Sequence, residues 1–179
     1  MSGRRIIRGV RVATPSGIQP ASVHLLGGTI AAIAGYDEVP RESIPEELGK
    51  SLLMPGLVVG VCEAVSEELA ICEGISFTVQ VAGGLSEENL HDYLSRRWTG
   101  MREQDRPLDE LIELCCTAPA VEFGLANKGL LAEGRDADFV IWNPEVPLAK
   151  TSEGQLFGQL RSTIVAGRTC AKSKVFLAL

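Results

Sequence analysis

Strand character occupies both ends of this chain, and helix periodicity is confined to its middle. Any fold for it must therefore bring two distant sets of short strands together, because neither set is large enough to stand alone. The N-terminal third contains "RIIRGVRVATPSG", rich in Ile and Val and closed by a Pro-Ser-Gly turn signal. "SVHLLGGTIAAIAG" follows as two apolar runs around Gly27-Gly28, a hairpin pattern with positive φ available at the turn. The last third returns to strands, with "DADFVIWNP" predicted to close at Asn143-Pro144 and "LRSTIVAGRTC" predicted as a pair or a bent strand punctuated by Gly167. The apolar tail "KVFLAL" requires docking.

Between them, "GLSEENLHDYLSRRW" places Ser86 as an N-cap, with Leu90, Leu94 and Trp98 on one stripe and Leu85 and Leu90 at staple spacing. "PLDELIELCC" places Leu108, Leu111, Ile112 and Cys115 on one helical face, and a third short helix is expected from Pro119 to near Gly124. The fold class expected is mixed α and β.

Of the 179 residues 45% are hydrophobic, enough for one substantial core. The net charge of −6, without a long basic cluster, argues against nucleic acid or an anionic membrane as partner. No run approaches the roughly 20 apolar residues of a membrane span, and the start "MSGRRIIRGVRV" is unlike a signal peptide, so a cytosolic protein is expected. Cys62, Cys72, Cys115, Cys116 and Cys170 lack CxxC spacing and are expected as buried free thiols. The glycine pairs Gly27-Gly28 and Gly83-Gly84 read as turns. The acidic pairs Glu46-Glu47, Glu67-Glu68 and Glu87-Glu88 read as solvated faces or helix starts.

In order along the chain, "VRVATPSG", "GGTIAAIA", "LLMPGLV", "TAPAVEFGLANKGLLAEGRDADFVIWNPE" and "LFGQLRSTIVAGRTC" resemble the cyclic amidohydrolases: allantoinase, dihydroorotase and hydantoinase. The segment "GRDADFVIW" with Trp142 leans toward allantoinase. The resemblance implies a composite β-sandwich from residues 1–58 and 128–179, with 59–127 as a helical remnant of a TIM barrel. "GISFTVQ" and the helices after it are then the last part of that barrel. It also implies ring-opening hydrolysis, such as that of allantoin to allantoate in purine catabolism, at a two-metal zinc centre.

The residues contradict the chemistry that the resemblance implies. Residues 57–127 are too few for eight strand–helix units, which need roughly 200 residues or more. Aligned on Pro55-Gly56, the family's acidic position holds Val59 and its His-x-His positions hold Val61 and Glu63. No Lys occurs between Lys50 and Lys128 to bridge metals, and the chain has two histidines, His24 and His91. Zinc hydrolysis typically takes three protein ligands plus an open position. No metal or other cofactor is therefore expected, and no catalytic residue is assigned; Glu63 is the one weak candidate for a general base. His24 is expected on a sheet face and His91 on a solvated helix face. The expectation is an allantoinase-like chain, truncated within its barrel or degenerate, and inactive alone. The alternative is a binding or regulatory module that pairs with itself or with a full-length homologue.

Overall fold

A computed structural model describes residues 4–63, 65–80, 84–86, 89, 92–152 and 154–172. The N-terminal strands are β1 (Arg4–Thr14), β2 (Gly17–Leu26) and β3 (Thr29–Gly35), an antiparallel meander. The short β4 (Glu46–Glu47) and β5 (Leu52–Pro55) both run parallel to β1. β5 then pairs antiparallel with β8 (Phe139–Thr151), which pairs with β9 (Gly154–Val165), and β9 with β10 (Arg168–Lys172). The order β10-β9-β8-β5-β1-β2-β3 makes one sheet from the two ends of the chain. β5 is the join, with Leu52 opposite Trp142 and Pro55 opposite Phe139.

The sheet curls until its remote parts touch. Gly28 in the β2–β3 turn accepts a hydrogen bond from the Ala137 amide at 2.8 Å, and the Gly167 amide donates to Ala137 at 2.8 Å. Arg5 on β1 donates to the Gly167 carbonyl at 3.1 Å and to Thr169 Oγ1 at 3.0 Å. Its strands carry the fully buried Ile7, Val23, Leu52, Met54, Phe139 and Trp142. Asp138, only 6% exposed, receives Lys128 Nζ at 2.5 Å and the Ala166 amide at 2.7 Å, so this buried carboxylate is both ion-paired and hydrogen-bonded.

Several local expectations change. β8 does not stop at Asn143-Pro144 but continues to Thr151. Its pairing with β9 slips on either side of Pro147, the kind of irregularity at which a strand tolerates proline. The β9–β10 turn at Ala166 and Gly167 has φ of 48° and 75°, the paired positive angles that a tight hairpin requires. Glu46 and Glu47 are not a free acidic face. They salt-bridge Arg5 at 2.6 Å and Arg8 at 2.5 Å across the β1–β4 pair.

The middle holds strands as well as helices. β6 (Leu57–Val61) and β7 (Ile75–Gln80) pair in parallel, joined by α1 (Glu67–Cys72), whose Ser66 N-cap accepts from the Leu69 amide at 3.3 Å. Glu67 and Glu68 fill the first turn of α1, favourable to the helix dipole. The helix expected from Ser86 is observed as α2 (Tyr93–Arg102), with Leu94 and Trp98 buried; Leu90, His91, Glu87 and Glu88 lie outside the described residues, as do Gly83 and the 174–179 tail.

The two further helices expected form one continuous element. α3 (Leu108–Ile112) passes through a π turn (Glu113–Thr117) into α4 (Ala118–Glu122). Pro119 explains the widened turn: it has no amide for the i−4 bond, and its ring would collide with the carbonyl of Cys115 in a regular helix. Among the described residues no helix is long and apolar enough to cross a membrane.

Candidate functional site

The Pro55-Gly56 step is where sheet and middle meet, and its chemistry is that of packing. Pro55 ends β5, and its carbonyl receives the Cys116 thiol at 3.3 Å. The Gly56 amide donates to the Asp138 backbone carbonyl at 2.9 Å. A Cβ added at Gly56 would lie 2.5 Å from Ser76 Cβ, so the close approach of the β5–β6 junction to β7 needs glycine there. These contacts retain the Pro-Gly frame without any metal ligand.

Beyond it, β6 carries Val59 and Val61, two of the positions singled out in the sequence. Val59 and Val61 are 4% and 1% exposed and offer no lone pair. Glu63 lies past the strand end and is exposed. His24 is half-buried on β2, with its ring Nε2 3.0 Å from Ser22 Oγ, a hydrogen bond within the sheet. Among the described residues no three His, Cys, Asp or Glu side chains come together as a metal-binding group. This donor set does not fit a two-metal hydrolytic centre.

The cysteines divide. Cys115 and Cys116 are buried, as expected, but Cys62, Cys72 and Cys170 are exposed, and all five are free thiols. Burial pushes both buried thiols up from their ordinary range, Cys116 well above it. They are packing groups rather than nucleophiles.

What the middle does contain is a cleft of about 670 Å³ between β6, α2 and the 108–122 helix. Val58, Val59, Leu85 and Leu114 give it an apolar lining, while Asn89, Tyr93, Arg96, Arg97 and Glu122 bring polar groups. Arg97 stands with its guanidinium 5.8 Å from the centre of the Tyr93 ring. Burial raises the Tyr93 phenol above its usual value, so it is neutral at pH 7, as is the Cys115 thiol that interacts with it. The cleft was not legible in the sequence, because its arginines sit in "LSRRW", a segment read there only for its helical stripe.

Solved structures share this fold. The dihydropyrimidinase from Brevibacillus agri NCHU1002 superposes with a TM-score of 0.76 at 11% identity, spanning 98% of this chain and 96% of that one. A D-hydantoinase from Thermus sp. gives 0.75 at 8% identity, spanning 93% and 95%. The sequence carries the assignment further. The amidohydrolase family pattern matches residues 68–170, more than half of the chain, and the chain belongs to that family. It is similar to the allantoinase of Streptomyces avermitilis, 44% identical over 54 residues, which are 30% of this chain and 12% of that protein. The allantoinase of Bacillus velezensis is 41% identical over 63 residues, 35% and 13% of the two chains, and the D-hydantoinase of Ralstonia pickettii 40% over 52 residues, 28% and 11%. The matched stretch thus spans only about an eighth of the curated allantoinases.

Proposed function

We propose that this chain is an allantoinase-like amidohydrolase-family member that does not hydrolyse cyclic amides by itself. The observation that carries the reading is Val59 and Val61, buried on β6 at positions where the resemblance implies an acidic residue and a histidine. The interval 57–127 adds to it, being short of the roughly 200 residues a closed barrel requires. In this reading, residues 1–58 and 128–179 are the family's composite β-sandwich, and 59–127 is what persists of its barrel. The ancestral reaction is the opening of a ring such as that of allantoin.

Metal analysis and turnover assays on the purified chain test it. The expected outcome is no stoichiometric zinc and no hydrolysis of allantoin, with or without added zinc or cobalt. General-base assistance alone contributes only about 10²–10⁴-fold, and Glu63 is the one weak candidate for that role. Metal-dependent turnover that Glu63→Gln abolishes would overturn the proposal.

A second reading is a binding module that pairs with another copy or with a full-length homologue. In its favour, β7 pairs only with β6 among the described residues, and Phe77 on it is 37% exposed. Co-purification with a tagged full-length homologue, lost in Phe77→Glu, is the result this reading requires.

A further inference from the structure

We propose that the cleft between β6, α2 and the 108–122 helix binds a small organic carboxylate, with Arg97 as the group that pairs with its charge. The cleft's volume of about 670 Å³ suits a compact ligand. Its lining is mixed, with Val58, Val59 and Leu114 for a neutral body and Asn89 for a hydrogen bond. Arg97 distinguishes it from an ordinary surface groove. Among the described residues, the groups acting on its guanidinium are the Tyr93 ring and hydroxyl and the Cys115 thiol, both side chains neutral at pH 7. They hold the guanidinium against the cleft without cancelling its charge. Among the described residues of the lining, Glu122 is the one acidic side chain, beside the arginines Arg96 and Arg97, in a chain whose net charge is −6. A guanidinium presents paired donors in one plane, which a carboxylate matches and an uncharged cyclic amide does not.

The chemistry makes a discriminating pair available. Adding water across the amide bond of a cyclic amide releases a carboxylate at one end and an amine or urea nitrogen at the other. Hydantoin and N-carbamoylglycine therefore differ by one water and by the presence of that carboxylate. Titration calorimetry with each compound on the intact chain is the test, and it stands whether or not the chain turns over any ring, because only binding is read.

The expected result is saturable binding of N-carbamoylglycine, at least about tenfold tighter than hydantoin. Arg97→Gln should weaken it at least about tenfold, and Arg97→Lys should retain part of the affinity because the point charge survives without the planar fork. Arg41→Ala, on an exposed loop, should leave it unchanged. Both Arg97 variants replace an exposed side chain, and circular dichroism verifies that they fold. Equal binding of the two compounds, no saturable binding of either at tens of millimolar, or unaltered affinity in Arg97→Gln would each overturn the proposal.

Discussion

The sheet from the chain ends and the βαβ-plus-helix middle have followed different rules. In the sheet, the residues that tie strands together serve packing: Trp142 and Phe139 in the core, Asp138 satisfied by Lys128 and the Ala166 amide, and Gly56 at the β5–β6 junction. In the middle, β6 is a strand whose Val59 and Val61 are buried and apolar. The difference teaches that the Pro-Gly frame before β6 is held by the sheet's own sterics. Its presence says nothing about whether chemistry follows.

If the sheet is the body of the molecule, its centre should be the most costly place to damage. Trp142 is fully buried beside Trp98 of α2, ring centroids 6.0 Å apart and nearly perpendicular at 82°. Trp142→Ala should lose about 3–5 kcal/mol in chemical denaturation. A loss below about 1 kcal/mol would mean that the sheet is not the stabilising unit.

The Lys128–Asp138 pair is next. Lys128→Met should cost about 2 kcal/mol near neutrality, less than the roughly 3–5 kcal/mol of a fully buried pair because Lys128 is half-buried. Burial lowers the Lys128 pKa, but hydrogen bonds to Asp138 and Asp136 more than offset this and leave it raised. A raised lysine stabilises fully below its unfolded pKa of about 10.4 and loses that contribution as pH climbs through the higher folded value. The gap between wild type and Lys128→Met should therefore narrow above about pH 10.4 and be constant between about pH 6 and 9. Denaturation series at each pH measure it, and a gap that widens in alkali would reverse the assignment.

The smallest effect belongs to the middle. Ser66→Ala removes the N-cap of α1 and should cost about 1 kcal/mol. Hydrogen exchange sharpens the comparison, since the loss should be local to α1 and β7 and leave β8–β9 protection unchanged. A global loss of protection would show that middle and sheet unfold as one unit.

Much of the sheet was legible because its signals are local. Gly27-Gly28 marked the β2–β3 turn, and Gly167 the β9–β10 turn, where positive φ values are found at Gly27 and Gly167. The length of β8 was not legible, since Pro144 and Pro147 normally end a strand and only the slipped register against β9 accommodates them. The π turn escaped notice because Pro119 reads equally well as the start of a new helix. The β6–β7 pairing and the Arg97 cleft depend on contacts remote in sequence, which periodicity does not encode. The apolar character of β6, by contrast, was written in single letters, Val58, Val59 and Val61, and needed no geometry.

The join at β5 has a consequence for how the chain comes into being. Because β5 sits between β1 and β8, the growing polypeptide must carry an unpaired sheet edge from the appearance of Leu52 until residue 139 and beyond have emerged. Long-range pairings of this kind form slowly, and an open apolar edge is a template for neighbouring chains. Ribosome-stalled fragments ending before β8 should therefore depend on chaperones far more than the finished chain does. The hazard ends when Phe139 to Trp142 reach β5.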